Sequence, residues 1–331
     1  MIGAHGPRSR PTVVLAAALA LALGAGLPSL AVAHARPPAH LSSIDFVTSR
    51  LAFALANLSG RTPSSSPELL RSRDGGRTWQ VVRERLVADR ACPSVSALAM
   101  TSDGEHGLLV RNDGPAAGSL PVCLWRTADG GRAWRETGTT VLSSGALAVS
   151  GLGRWVVALS GSGAAPTASV RVLLPAERTL ADLTDRHDPE GPAGYVSAVS
   201  LLAIGKGQAV ASVAYVWGKA ALFTYSASSP YRTWRPRRIA LPSDTTTVAA
   251  VAFSSSVSGV ALLSEGGHSV LAWTADAGRT WRRAQPPIPM SVDQLEAIGP
   301  DAYAILGGGG ALWLSTDDGL EWVRQGPRNV S

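Results

Sequence analysis

Carboxylates, hydroxyls and thiols are the groups in this chain with the chemistry to hold an ion or act on a substrate. The carboxylates recur in one pattern. Ser72-Arg73-Asp74-Gly75-Gly76-Arg77-Thr78-Trp79 returns as Thr127-Ala128-Asp129-Gly130-Gly131-Arg132-Ala133-Trp134. It returns again as Thr274-Ala275-Asp276-Ala277-Gly278-Arg279-Thr280-Trp281 and as Ser315-Thr316-Asp317-Asp318-Gly319-Leu320-Glu321-Trp322. A worn copy spans 227–234, with Ser229 in the place of the aspartate and Trp234 at its end. An aspartate at a turn accepts hydrogen bonds from the backbone N–H groups that follow it. The glycines supply the positive φ that hairpin turns demand. A Ser or Thr two residues before the aspartate adds a side-chain bond to the backbone. The tryptophan covers the turn with a large apolar face. These roles are local and stabilise a hairpin; none of them performs chemistry.

A second acidic group crowds one loop: Asp182, Asp185, His187, Asp188 and Glu190, followed by Gly191-Pro192. Oxygen-rich loops can hold Ca2+. This spacing matches no calcium loop, and Arg186 lies inside it, so a solvated charge cluster is expected. No Gly-x-Ser-x-Gly elbow, His-Glu-x-x-His pair or Gly-Lys-Ser/Thr loop is present. The run Gly307-Gly308-Gly309-Gly310 has no following helix to make a phosphate cradle and is expected to be a tight turn. His106 and His268 sit among polar turn residues, where a solvated histidine is expected. No metal and no cofactor are therefore expected.

The only cysteines are Cys92 and Cys123, too few for an all-cysteine zinc site. Two separate buried thiols are one outcome. Pairing is the other, favoured in an oxidising compartment, and it would close a loop worth about 3–4 kcal/mol in the chain-entropy account.

The elements that must position these residues follow from the repeat. Trp79 to Trp134 is 55 residues, Trp234 to Trp281 is 47 and Trp281 to Trp322 is 41. The gap of 100 from Trp134 to Trp234 divides into two steps of 50, with the middle motif lost near Arg178-Thr179-Leu180. Between motifs run short alternating apolar segments such as residues 95–100, 107–110 and 122–125. Four short strands per unit of this size mark a propeller blade. The expectation is an all-β β-propeller of six four-stranded antiparallel blades, at about 45–90, 91–140, 141–190, 191–240, 241–288 and 289–326. Seven blades are the alternative, and a pair of β-sandwiches would show no fixed period.

The motif Ser/Thr-x-Asp-x-Gly-x-Thr-Trp resembles the Asp-box, the bacterial neuraminidase repeat, and the chain resembles the sialidase-like superfamily of propellers along its whole length after the leader. That resemblance implies Asp-box hairpins on the blade periphery. It does not by itself imply hydrolysis, because fold does not carry function. Sialidases use an arginine triad, a Tyr nucleophile with Glu, and an Asp acid/base. Their first arginine lies in an Arg-Ile-Pro motif near the start of the propeller, which residues 44–55 lack. The only Arg-Ile pair is Arg238-Ile239, followed by Ala240. Tyr195, Tyr215, Tyr225, Tyr231 and Tyr303 have no recognisable family setting.

Arg8 and Arg10 precede an uncharged run at 13–27, then Pro28 and the small residues Ala31-Val32-Ala33. That is the layout of a secretory signal, here residues 1–33; an uncleaved anchor is the alternative, although the run is shorter than a membrane span needs. A short linker at 34–44, a single propeller domain at 45–326 and a tail at 327–331 follow. Removing the two leader arginines leaves 28 basic residues against 24 acidic ones, spread along the chain rather than gathered. Nucleic acid is thus not the expected partner. Hydrophobic residues make up 45% of the chain, which excludes disorder. The abundance of Ala and Arg suggests a GC-rich bacterium. The expected function is non-catalytic: a secreted or cell-envelope monomer binding a protein, peptide or glycan. The alternative is a cell-envelope glycoside hydrolase with an unfamiliar acid pair. The expected binding loops are 58–67, 111–121, 161–167, 216–219 and 264–269.

Overall fold

Blade stacking dictates the composition of the strands. A strand whose sheet is covered on both faces is apolar on both, and β2 (Ala52–Asn57) shows the consequence. Its small residues Ala52, Ala54 and Ala56 pack into one core cluster, and its large ones, Phe53 and Leu55, into another. β2 lies second in a sheet whose other strands are β1 (His40–Phe46), β3 (Glu68–Ser72) and β4 (Gln80–Arg83), in the order β1-β2-β3-β4. The computed structural model describes residues 40–57, 67–83, 86, 92, 94–101, 103–112, 119–143, 171–174, 179–182, 195–204, 208–217, 219–228, 235–284 and 292–325.

The second blade is β5 (Ser94–Met100), β6 (Gly107–Asn112), β7 (Ser119–Thr127) and β8 (Arg135–Ser143). A two-stranded sheet of β9 (Arg171–Leu174) and β10 (Thr179–Asp182) follows. The third blade is β11 (Tyr195–Ile204), β12 (Gln208–Trp217), β13 (Lys219–Ser228) and β14 (Arg235–Ile239). The fourth is β15 (Thr245–Phe253), β16 (Gly259–Glu265), β17 (His268–Thr274) and β18 (Arg282–Arg283), and the fifth is β19 (Val292–Gly299), β20 (Ala302–Gly307), β21 (Ala311–Ser315) and β22 (Val323–Gln325). Each is an antiparallel meander of contiguous chain.

The protein is an all-β propeller, but the expected six blades, and the seven of the alternative, are incorrect. Among the described residues there are five four-stranded blades. The expected third unit at 141–190 contributes, among the described residues, the end of β8 and the hairpin β9–β10. The physical reason lies in the motif. Dividing 100 residues into two equal steps assumed a unit that has no motif aspartate, glycine or tryptophan, so nothing in it specifies the hairpin between a third and a fourth strand. The first strand begins at His40, inside the segment expected to be linker.

The first strand of each blade is innermost: β1 contacts β5 and β19, β15 contacts β11 and β19, and β11 contacts β19. The pairing of each of the five with its second strand carries at least one register shift, the kind of irregularity that bends and twists a strand locally. The apolar core is divided among seams between blades. Phe53, Leu55 and Leu69 meet Leu98, Met100 and Leu109 between blades one and two. Ile44, Ala54 and Leu70 meet Ile298, Ala304 and Leu312 between blades one and five. Comparable clusters join blades three and four, and four and five. Among the described residues no helix is long and apolar enough to cross a membrane.

Candidate functional site

The motif turns close on themselves first. In all four, the hydroxyl of Ser72, Thr127, Thr274 or Ser315 donates to its aspartate at 2.8–2.9 Å. The same oxygen accepts the N–H of Gly76, Gly131, Gly278 or Gly319 at 2.8–3.0 Å. The amides of Thr78, Ala133, Thr280 and Glu321 donate to the carboxylates of Asp74, Asp129, Asp276 and Asp317 at 2.9–3.0 Å. These bonds hold the Asp129 and Asp276 carboxyls below the usual carboxylate range, the backbone N–H of Ala133 and Thr280 being the leading cause. Asp74 is also lowered; partial burial pushes it up, and its bonds from Thr78 and Ser72 outweigh that.

The residue after each aspartate, Gly75, Gly130, Ala277 or Asp318, has φ between 61° and 73°. Its N–H donates at 2.8 Å to a carbonyl in the turn between the first and second strands of the same blade: Arg50, Glu105, Val257 or Asp301. The motif therefore ties both turns at one end of its blade together.

The motif also docks onto the preceding blade, a role the local pattern did not suggest. A Cβ added at Gly76 would meet Leu312 of the fifth blade, and one at Gly131 would meet Leu69 of the first. At Gly278 it would meet Ile239 and Ala240 of the third blade, and at Gly319 Val260 of the fourth. The tryptophans follow. Trp79, Trp134 and Trp322 are buried in seam clusters rather than confined to their own hairpins. Trp281 is only half-buried and donates from Nε1 to the Ala240 carbonyl of the third blade at 2.7 Å. The worn copy falls mostly outside the described residues.

Three polar residues on the innermost strands were not singled out from the sequence. Gln294 of β19 accepts the Ile44 N–H at 3.0 Å and donates to the Ile44 carbonyl at 2.7 Å. Two residues on, Glu296 accepts the Phe46 N–H through Oε1 at 3.3 Å. In turn Asp45 of β1 accepts the Met100 N–H of β5 at 2.6 Å. Two of the first strands, β1 and β5, thus offer their inner edge to a side chain from the preceding blade. The strand registers make Asp45 and Glu296 equivalent. Each precedes the residue, Phe46 or Ala297, whose second-strand partner pairs with the motif Ser, through Ala52↔Ser72 and Tyr303↔Ser315. Blades two and four have Ala99 and Ala252 there. Burial raises the Asp45 carboxyl to about 7 against the Met100 hydrogen bond. Burial and then the Asp45 charge push Glu296 well above the usual range. The signal available in the sequence was a carboxylate inside each apolar run, Ile44-Asp45-Phe46 and Leu295-Glu296-Ala297.

Cys92 and Cys123 form a disulfide with Cα atoms 6.1 Å apart. Beside it Arg111, expected on a loop, is a buried residue of β6. Its Nε donates to the Cys92 carbonyl at 2.8 Å, and its guanidinium lies 6.0 Å from the Trp125 ring centroid. Of the expected binding segments, 264–269 is described, and Gly266-Gly267 turns the exposed β16–β17 hairpin. Segments 58–66, 113–118 and 161–167 and residue 218 lie outside the described residues, as does the acidic loop beyond Asp182. In the four blades that carry the motif, the second-to-third strand connection leaves the sheet at the end opposite the motif turn. Gly308–Gly310 form a turn closed by Gly310 N–H to Gly307 O at 3.0 Å. His106 is exposed and pairs with Asp103 at 2.8 Å. Among the described residues no three His, Cys, Asp or Glu side chains are grouped to hold a metal.

No protein-family model matches the chain, and no curated protein matches it. Similar solved structures include YCF48 bound to D1 peptide, at 16% identity and a TM-score of 0.49, covering 88% of this chain and 82% of that one. YCF48 from Cyanidioschyzon merolae is 15% identical with a TM-score of 0.49, covering 90% of this chain and 88% of that one. The tricorn protease is 11% identical with a TM-score of 0.56; the match covers 89% of this chain and 27% of that one. At these identities the likeness is one of fold, a β-propeller.

Proposed function

We propose that this chain is an exported, non-catalytic propeller of the Asp-box, sialidase-like kind, which binds a protein, peptide or glycan through the loops opposite its motif turns. One observation supports the reading most: among the described residues, the motif aspartates and the two hub carboxylates are already committed. Each motif aspartate is held by its own hydroxyl and by a backbone amide. Asp45 and Glu296 are spent on the inner edges of neighbouring blades. Loops on a rigid scaffold are where recognition concentrates.

A glycoside hydrolase is the alternative, and the convergence of Asp45 and Glu296 on the hub is the feature that favours it. Against it, Asp45 is buried and one oxygen of Glu296 is closed to solvent. The test is a peptide and glycan array probed with the full-length protein, run beside fluorogenic glycosides. Saturable binding without turnover, weakened when residues 264–269 are replaced by a two-residue turn, is the expected result. Turnover abolished by Glu296→Gln would overturn it.

A further inference from the structure

The last blade meets the first without exchanging a strand, so the seam between them rests on side chains. Beside the apolar cluster that seam holds three polar contacts: Gln294 on both backbone groups of Ile44, and Glu296 on the Phe46 amide. The next seam holds the equivalent contact, Asp45 on the Met100 amide. Two carboxyls at the same blade position therefore close two successive seams of the ring. The second oxygen of Glu296, Oε2, is sealed from solvent and has no hydrogen-bond partner among the described residues.

Among the described residues no cation is seen to balance their charge. None of the five innermost strands, β1, β5, β11, β15 and β19, contains a Lys or Arg. The other ionisable groups on the elements packed here are few: His40 and Asp293, both exposed, Tyr195 at the start of β11, and Tyr303, which faces the fourth blade and bonds Ser254. β2 carries none. A buried carboxylate and a half-buried one with a sealed oxygen, without a cation, cannot both be charged without strong mutual repulsion. A proton is the simplest neutralising partner, and the closed Oε2 of Glu296 is a place for it.

We propose that Asp45 and Glu296 form a proton-operated latch on the two seams that flank the first blade, closed while at least one of them is protonated and loosened when both ionise. The sign follows from the carboxyls. Asp45 is raised from 3.8 to about 7 by burial, and Glu296 is raised as well. Between those limits the folded protein keeps a proton that the unfolded chain has lost. The contribution is then full in acid and falls as pH rises through about 7. The propeller is a ring that tightens on the acidic side of neutrality.

The test is reversible unfolding of the full-length protein from pH 5 to 8.5, with hydrogen exchange read at the Phe46 and Met100 amides. In the wild type the unfolding constant should rise with pH, by up to tenfold per pH unit for each proton involved. Protection of the two amides should fall above pH 7. Asp45→Asn and Glu296→Gln keep the shape and the acceptor oxygens, so each should flatten the pH dependence and resist unfolding better than wild type at pH 8. A flat wild-type profile, or variants with the wild-type slope, overturns the latch. So does recovery of wild-type stability at pH 8 on adding Ca2+ or Mg2+, which would make a metal ion the neutralising partner. Should neither variant fold, the wild type alone decides. Unfolding enthalpies at pH 6 in buffers of different ionisation enthalpy count the protons released, and a count of about one supports the latch while zero removes it.

Discussion

Gln294 holds Ile44 by both its backbone groups, across 250 residues of chain, with bonds of 3.0 and 2.7 Å. Each blade is built from contiguous chain, so no strand from one end of the sequence is woven into the blade at the other. A single amide side chain therefore does at the closing seam what a shared strand would do by a ladder of hydrogen bonds. Gln294→Ala leaves the Ile44 N–H and C=O without partners in a partly buried place. The expected loss is about 1–3 kcal/mol, measured by chemical denaturation. A loss under ~0.5 kcal/mol would show that the apolar cluster closes the seam unaided.

The second motif glycine is a docking residue as well as a turn residue, and the two roles separate experimentally. Gly76 has φ 83° and faces Leu312 of the fifth blade, with an added Cβ 2.6 Å from its Cδ2; Gly266 has φ 55° and open space around it. Alanine at either position incurs the strain of a positive φ, on the order of 1 kcal/mol. Only at Gly76 must a neighbouring blade also move, adding about 1–3 kcal/mol of overpacking. Equal losses for Gly76→Ala and Gly266→Ala would reduce the motif to a local turn.

The tryptophans grade the same seams. Trp134 is buried against Leu69 and Leu109, and its Nε1 donates to Gly131 at 2.9 Å; Trp134→Ala should cost about 3–5 kcal/mol. Trp281 is half-buried, with its indole bonded to Ala240. Trp281→Ala should cost less, roughly 1–3 kcal/mol. Reversible unfolding that ranks Trp281 above Trp134 would contradict the burial order.

What could be seen in the chain beforehand was whatever repeats. Asp, Gly and Trp recur at fixed offsets because each motif turn meets the same local geometry, so propeller architecture and hairpin positions were legible. The blade count was not, because between Trp134 and Trp234 the motif is missing and spacing alone cannot tell a worn blade from a two-stranded hairpin. Seam contacts were equally hidden. Gly131 touching Leu69, and Asp45 touching Met100, join positions whose distance in the chain follows no period. Asp45 and Glu296 also escaped notice because Ala99 and Ala252 hold the equivalent positions in blades two and four, so comparing the units does not flag a polar residue there.

The motif aspartates set the acid limb of stability, with the opposite sign from the hub carboxyls. Asp74, Asp129 and Asp276 are held below the ordinary carboxylate range by hydrogen bonds that exist only in the folded turns. A carboxyl lowered on folding contributes stability that is present above its unfolded value, near 4, and is lost as pH falls through its folded value. Asp129 is well suited to isolating this effect. Its leading bond comes from the Ala133 amide, and Ala133 has no hydroxyl to add a second bond as Thr78 and Thr280 do. Asp129→Asn keeps an acceptor oxygen for that amide and removes the ionisation. It should leave stability at pH 6 within about 1 kcal/mol of wild type, the scale of one neutral hydrogen bond. It should also make the loss between pH 4 and pH 2 shallower. Acid-induced unfolding followed by tryptophan fluorescence gives the comparison, and an unchanged acid midpoint for Asp129→Asn would mean that other carboxyls carry the limb.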